Sequence, residues 1–154
     1  MNKFYQTYID TPIGMMVAKA TDEGLFLLDF LDEKDDLIVN KNHILESVKI
    51  ELSEYFSKKR KMFNIPLLLD GTPFQKEVWN TLLKIGYGKT ISYKEEALMM
   101  QKPLAHRAVA NANGKNPISI IIPCHRVISK GGAIGGYTGG VWRKKFLLEL
   151  EDSF

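Results

Sequence analysis

Partway along this chain of 154 residues the spacing of the apolar positions changes, and that change restricts the fold more than any other feature. Over the first thirty residues three β-rich runs, FYQTYI, IGMMVAKA and LFLLDF, are divided by the turn signals Asp10-Thr11-Pro12 and Thr21-Asp22-Glu23-Gly24. This predicts a small antiparallel meander. Downstream the period lengthens. After an acidic loop, LDEKDD, the segment HILESVKIELSEYFS sets Ile44, Leu45, Val48, Leu52, Tyr55 and Phe56 on one helical face, which predicts a helix covering the sheet. The run Lys58-Lys59-Arg60-Lys61 that follows suits a solvated helix end, where cations meet the carbonyl dipole, better than a nucleic-acid patch.

A boundary falls after Asp70, giving expected domains of residues 1–70 and 71–154. The second opens on a strongly marked helix start, with Thr72 as N-cap, Pro73 at the first position, Gln75 completing a capping box, and a stripe of Phe74, Val78, Leu82 and Ile85. A second capping box, Ser92 with Glu95, begins a short helix through Met100. Lys102-Pro103 then turns the chain into a helix over LAHRAVANAN, making a helix-turn-helix candidate, although paired helices of this kind also occur in many non-binding domains. The apolar run ISIIIP reads as a buried strand delivering Cys124 and His125 at its end. A glycine-rich segment, KGGAIGGYTGG, and a closing helix, VWRKKFLLELE, complete the chain.

Composition narrows the class. With 45% hydrophobic and 25% charged residues, the chain can bury a core without disulfides or a structural metal. Cys124 is the single cysteine, so an intrachain disulfide and a cysteine-rich zinc site are both excluded. No run approaches the roughly 18 apolar residues of a membrane span, and the opening MNKFYQTYID has no apolar segment behind its lysine; an intracellular protein is expected. The net charge of +3 is uneven: residues 1–70 hold 9 Lys and Arg against 12 Asp and Glu, or −3, and residues 71–154 hold 12 against 6, or +6. Such an excess suits either a polyanionic partner such as nucleic acid or plain surface solvation.

Two glycine motifs carry no nucleotide-binding signal. Gly88-Lys89-Thr90 imitates the end of a phosphate loop, but Leu83 stands where its first glycine belongs. The glycines from 131 to 140 never fall in G-x-G-x-x-G spacing; they fit a tight turn close to a ligand or a simple surface loop. Cys124 is the sharper candidate, because an adjacent histidine and a following arginine in a basic half-chain favour thiolate. The alternative is a buried, inert cysteine. On a strand, neighbouring side chains point to opposite faces, so His125 reaches the sulfur only if the chain bends or a water bridges the gap.

The string Ile122-Pro123-Cys124-His125-Arg126-Val127, with Asn116-Pro117 before it and Gly135-Gly136-Tyr137-Thr138-Gly139-Gly140 and Lys144 to Glu151 after it, resembles the O6-alkylguanine-DNA alkyltransferase family. The similarity runs from Gly71-Thr72-Pro73-Phe74 through Val78-Trp79, Ile91-Ser92-Tyr93 and Arg107-Ala108-Val109 to Glu151; residues 1–70 match more loosely. It implies an α/β protein: a small ribonuclease-H-like N-terminal domain of antiparallel sheet plus helix, then a mostly helical, winged helix-turn-helix-like domain for DNA binding and alkyl transfer. The implied activity is irreversible, stoichiometric transfer of an alkyl group from O6 of guanine, and from O4 of thymine, in double-stranded DNA to the protein's own cysteine.

The resemblance also assigns roles. Cys124 is the acceptor, His125 takes its proton through a water, and Glu151 orients the imidazole. Asn116 braces the turn before the cysteine, Tyr93 donates to the departing guanine, and Lys144 assists near O6. Arg107 enters the stack vacated by the flipped base, while Ala105, Ala108, Ala110 and Ala112 keep its helix thin. Val127, Tyr137, Thr138 and Gly139 line the pocket; Thr138 stands where most relatives carry serine, which bears on how bulky adducts fit. Arg126 braces the site through hydrogen bonds. No metal and no cofactor are implied, and a cytoplasmic monomer is expected. Two competing readings are a winged-helix protein that binds DNA or lesions without chemistry, and a cysteine hydrolase built on Cys124 and His125.

Overall fold

A computed structural model describes residues 3–33 and 36–154. Lys34 and Asp35 of the expected acidic loop, and Met1 and Asn2 of the opening run, lie outside the described residues. The chain divides into two compact units, Met1–Asp70 and Gly71–Phe154.

In the first unit, β1 (Tyr5–Thr11), β2 (Gly14–Ala20) and β3 (Leu25–Leu31) form an antiparallel sheet in the order β1-β2-β3. β1 and β2 pair from Thr11↔Gly14 to Tyr5↔Ala20, and a bulge between Lys19 and Ala20 interrupts the pairing of β2 with β3. Ile9, Met16, Ala18, Leu25 and Leu28 form the buried face. Helix α1 (His43–Phe56) begins where the Asn42 side chain accepts from the Leu45 amide at 3.0 Å, and it lies against β1 and β2. Ile44, Leu45, Val48, Leu52 and Tyr55 are buried. Phe56 is only half-buried, with its ring edge-on to Tyr55 at 5.3 Å. The basic run Lys58–Lys61 lies just beyond the helix, whose last turn holds no basic residue, and Arg60 Nε folds back to Glu54 Oε1 at 3.0 Å.

The second unit contains α2 (Pro73–Leu82), β4 (Ile91–Ser92), α3 (Tyr93–Met99), α4 (His106–Gly114), β5 (Val127–Ile128) and α5 (Val141–Leu150). Both capping boxes form: Thr72 Oγ1 accepts from the Gln75 amide while Gln75 Oε1 accepts from that of Thr72, and Ser92 and Glu95 repeat the arrangement. Val78, Trp79 and Leu82 bury one face of α2, and Trp79 Nε1 donates to the Ala112 carbonyl of α4 at 3.0 Å. A Cβ on Gly71 would stand 2.7 Å from the Trp79 ring, so the ring itself demands glycine there. Helix α3 ends in a Schellman turn, in which Lys102 N donates to Ala97 O, Gln101 N donates to Leu98 O, and Gln101 takes φ 58°. That turn leads into α4, completing the expected helix pair. Among the described residues no helix is long and apolar enough to cross a membrane.

The run ISIIIP is not a strand. Ile118, Ile120, Ile121 and Ile122 are buried as expected, but the backbone coils back on itself, with Ile121 N donating to Ser119 O and Ile122 N donating to Ile118 O. Ile120 adopts φ 72°, a left-handed conformation that costs a β-branched residue about 1–2 kcal/mol. An apolar run reports burial, and extension does not follow from it. The residues after it, Cys124–Arg126, form a single 3-10 turn, and only then does β5 extend to pair in parallel with β4 through Ile91↔Val127 and Ser92↔Ile128.

Candidate active site

That coil and 3-10 turn place three consecutive side chains in three environments. Cys124 is partly exposed and lines a cavity of about 230 Å³ together with Tyr93, Ala110, Asn113, Gly114, Gly136, Tyr137 and Thr138. Asn116 braces both the sulfur and the loop that carries it: its Nδ2 donates to Cys124 Sγ at 3.3 Å and to the Ile122 carbonyl at 2.8 Å, and its Oδ1 accepts from the Ile118 amide at 2.9 Å. Burial pushes the Cys124 thiol up to about 11, against the opposing effects of the Asn116 hydrogen bond and the Lys144 charge; Glu96 adds to the rise. The resting side chain is therefore a neutral thiol that needs a base.

His125 and Arg126 turn away into the interior and meet on Glu151, the residue that caps α5. His125 Nε2 lies 2.8 Å from Glu151 Oε2, and Arg126 contributes Nε to Oε1 at 2.8 Å and a terminal nitrogen to Oε2 at 3.0 Å. The third guanidinium nitrogen of Arg126 donates to the Ile85 carbonyl at 2.6 Å. Burial alone would raise the Glu151 carboxyl, but the hydrogen bonds and charge of His125 and Arg126 outweigh it and hold the group well below the usual carboxylate range. Burial, only partly opposed by Glu151, lowers His125. A neutral imidazole that donates from Nε2 to an ionised carboxylate keeps Nδ1 as its acceptor. That nitrogen is buried and has no hydrogen-bond partner among the described residues.

Lys144 is fully buried on α5, and its Nζ donates to the carbonyls of Val127 and Gly136. Burial lowers it to about 8, with Cys124 acting the other way. Lys144 is not itself among the residues that line the cavity, but its Nζ lies beside it, bonded to the carbonyl of Gly136, which does line it. Val127, expected at the pocket, is wholly buried in the β4/β5 pair, and Gly139, expected there too, accepts at its carbonyl from Arg143; neither is among the residues that line the cavity. Tyr93, the first residue of α3, does line it, as do Tyr137 and Thr138, whose Oγ1 donates to the Gly114 carbonyl at 3.1 Å. Burial, then Cys124 and Glu96, raise the Tyr93 hydroxyl, so it keeps its proton. A Cβ on Gly135, which has φ 76°, would meet Tyr93 Oη at 3.3 Å and Lys144 Nζ at 3.4 Å. Glycine there lets those two groups converge beside the cavity.

Ala110, Asn113 and Gly114 share a face of α4 that borders the cavity, and of these the sequence reading named only Ala110. Their i, i+3, i+4 spacing was the available signal. Arg107 and Ala108 are exposed on the same helix, Ala105 caps it, and Ala112 is buried. No group of three or more His, Cys, Asp or Glu side chains able to hold a metal occurs among the described residues.

Comparison with known proteins gives the same picture along the whole length. The 6-O-methylguanine DNA methyltransferase DNA binding domain matches residues 73–153, and the ribonuclease-like domain of that family matches residues 4–69. The methylated-DNA--protein-cysteine methyltransferase of Methanosarcina barkeri is 45% identical over 155 residues, covering 97% of this chain and 98% of its own. The constitutive Bacillus subtilis protein of that name is 39% identical over 157 residues, covering 96% and 94%. Among solved structures, Mycobacterium tuberculosis O6-methylguanine methyltransferase superposes with a TM-score of 0.88 at 40% identity, over 98% of this chain and 94% of that one. The M. tuberculosis OGT crystallised in complex with DNA gives a TM-score of 0.86 at 42% identity, over 96% and 92%. With each unit matched by one domain of a single family, and with relatives of this identity aligned over nearly the whole chain, the chain belongs to the 6-O-methylguanine DNA methyltransferase family.

Proposed function

We propose that this protein repairs alkylated DNA by direct reversal, moving the alkyl group from O6 of guanine in a DNA duplex onto Sγ of Cys124. The observation that carries this reading is a single cysteine lining a cavity, with its sulfur held by Asn116 and a buried imidazole–carboxylate–guanidinium array behind it. The names of the relatives and the DNA complex of one of them support the substrate class and the partner.

The thiol proton passes through a water to Nδ1 of His125, because no direct hydrogen bond joins the two side chains. Glu151 then balances the imidazolium, and Arg126 keeps Glu151 ionised and in place. The S–C bond forms as the O6–C bond breaks in line. The electron pair remains on the guanine, which takes a proton from Tyr93, and the imidazolium proton restores the tyrosine through solvent. The product is a thioether, which no second thiol in the chain can resolve, so each molecule reacts once. O4-alkylthymine fits the same step. The base reaches the cavity by leaving the helical stack, at a cost of a few kcal/mol; exposed Arg107 at the start of α4 fills the gap, and the small Ala105 and Ala108 beside it permit close approach. The protein acts as a cytoplasmic monomer held near the nucleoid by its DNA affinity.

The test is a duplex carrying labelled methyl at guanine O6. One label per chain, located on Cys124 by peptide mass, is expected, and Cys124→Ala should lose transfer while still binding DNA. Product formed in excess of protein would overturn the proposal.

A further inference from the structure

Glu96 of α3 is fully buried, and the chemistry above does not use it. The Asn113 side chain of α4, also buried, donates from Nδ2 to Glu96 Oε1 at 2.7 Å. Their other two oxygens, Glu96 Oε2 and Asn113 Oδ1, are both buried and without a hydrogen-bond donor among the described residues. Two acceptors left unpaired on two groups already bonded to each other are costly, unless a proton lies between them. A carboxylic acid and a primary amide satisfy all four atoms, because the acid hydroxyl supplies the donor that a carboxylate lacks.

We propose that Glu96 and Asn113 form a proton-sharing acid–amide pair, Nδ2–H donating to Oε1 and a carboxyl proton on Oε2 donating to Oδ1, and that this proton keeps a negative charge away from Cys124 during alkyl transfer. Glu96 is thus a positioning residue for the reaction proposed above, on which its effect on rate depends. Asn113 lines the same cavity as Cys124, so one member of the pair borders the acceptor site. An ionised Glu96 raises both the Cys124 thiol and the Tyr93 hydroxyl, which disfavours the thiolate.

The surroundings of Glu96 supply no compensating charge. On the elements that pack against α3, α2 carries Lys76 and Glu77, the latter paired with Lys102; α4 carries His106 and Arg107, both exposed; and β4 and β5 carry no titratable side chain. Cys124, His125 and Arg126 precede β5, and the last two are committed to Glu151. Burial, partly offset by the Asn113 hydrogen bond, raises Glu96 to about 7. The proton is therefore held in mildly acidic solution and released to solvent as the pH climbs past neutrality.

Single-turnover methyl transfer by the full chain, followed from pH 5.5 to 8.5, tests this together with infrared difference spectra of the same protein across that range. In the wild type a protonated carboxyl stretch should be present at pH 5.5, fade through neutrality, and be missing in Glu96→Gln. Glu96→Gln should match the wild-type rate at pH 5.5 and exceed it by about threefold at pH 8.5, the change in thiolate fraction expected when one nearby buried charge is removed. Glu96→Leu, likewise uncharged, gives the same comparison if the glutamine variant folds poorly. A wild-type spectrum without that carboxyl band, or identical rate profiles for wild type and variants, overturns the inference while leaving the repair reading intact. Absence of transfer at every pH with the band present overturns the repair reading alone.

Discussion

At the scale of single residues, the site is arranged around one carboxylate. Glu151 receives Arg126 through both of its oxygens and His125 through one, with all three side chains buried. Removing one partner from such a set leaves an uncompensated interior charge, which costs more than the pairing itself contributes. Glu151→Gln is therefore expected to destabilise the protein by about 3–5 kcal/mol, read as a lower urea midpoint, with a slower transfer rate because the imidazole loses its fixed tautomer. Unchanged stability would mean that Arg126 finds another acceptor. Glu96 makes the opposite case, since its carboxyl is raised in the fold above its ordinary value. A group of that kind stabilises the fold while it holds its proton, and the contribution drains away as pH rises from the unfolded value toward about 7. Wild-type melting temperature should fall over that interval, and the Glu96→Gln variant should lack that part of the fall.

At the scale of elements, what could be read from the sequence was what is local. The three strands, the face of α1 and both capping boxes follow from contacts within a few residues, and they form as read except that Phe56, at the end of the α1 face, is only half-buried. The Ile118–Ile122 segment misleads because apolar content specifies burial, while the coil is set by the Asn116 clamp on the Ile118 amide and the Ile122 carbonyl. The partnership of Glu96 with Asn113, 17 positions apart, left only one trace, a charged residue on the α3 face shared by Tyr93, Ala97 and Met100. Helix ends were also hard to read, because α1, α3 and α5 all close with left-handed residues that are not glycine: Lys58, Gln101 and Asp152. Each is followed by the bond pair of a Schellman turn, as in Lys59 N to Glu54 O and Ser153 N to Leu148 O. Because Gln101 is exposed and its side chain bears no load, Gln101→Gly should stabilise the protein by about 1 kcal/mol by removing the Cβ clash, measurable by chemical denaturation.

For the molecule as a whole, charge is divided between the units, −3 over residues 1–70 and +6 over residues 71–154. Association with a phosphate backbone should therefore depend on the second unit and be driven by released counterions. Affinity of the Cys124→Ala protein for a duplex should fall by about tenfold or more between about 50 and about 200 mM salt, by fluorescence anisotropy. An affinity indifferent to salt would place the contact on uncharged surface. The thiol held near 11 has a bearing on the life of the protein before it meets damage. Peroxides and free electrophiles attack the ionised form of sulfur, and a side chain stored with its hydrogen attached has little to offer them. A tool that works once should in this way be spared misfiring, so unused protein is expected to keep its free sulfur through a peroxide challenge that oxidises an ordinary cysteine.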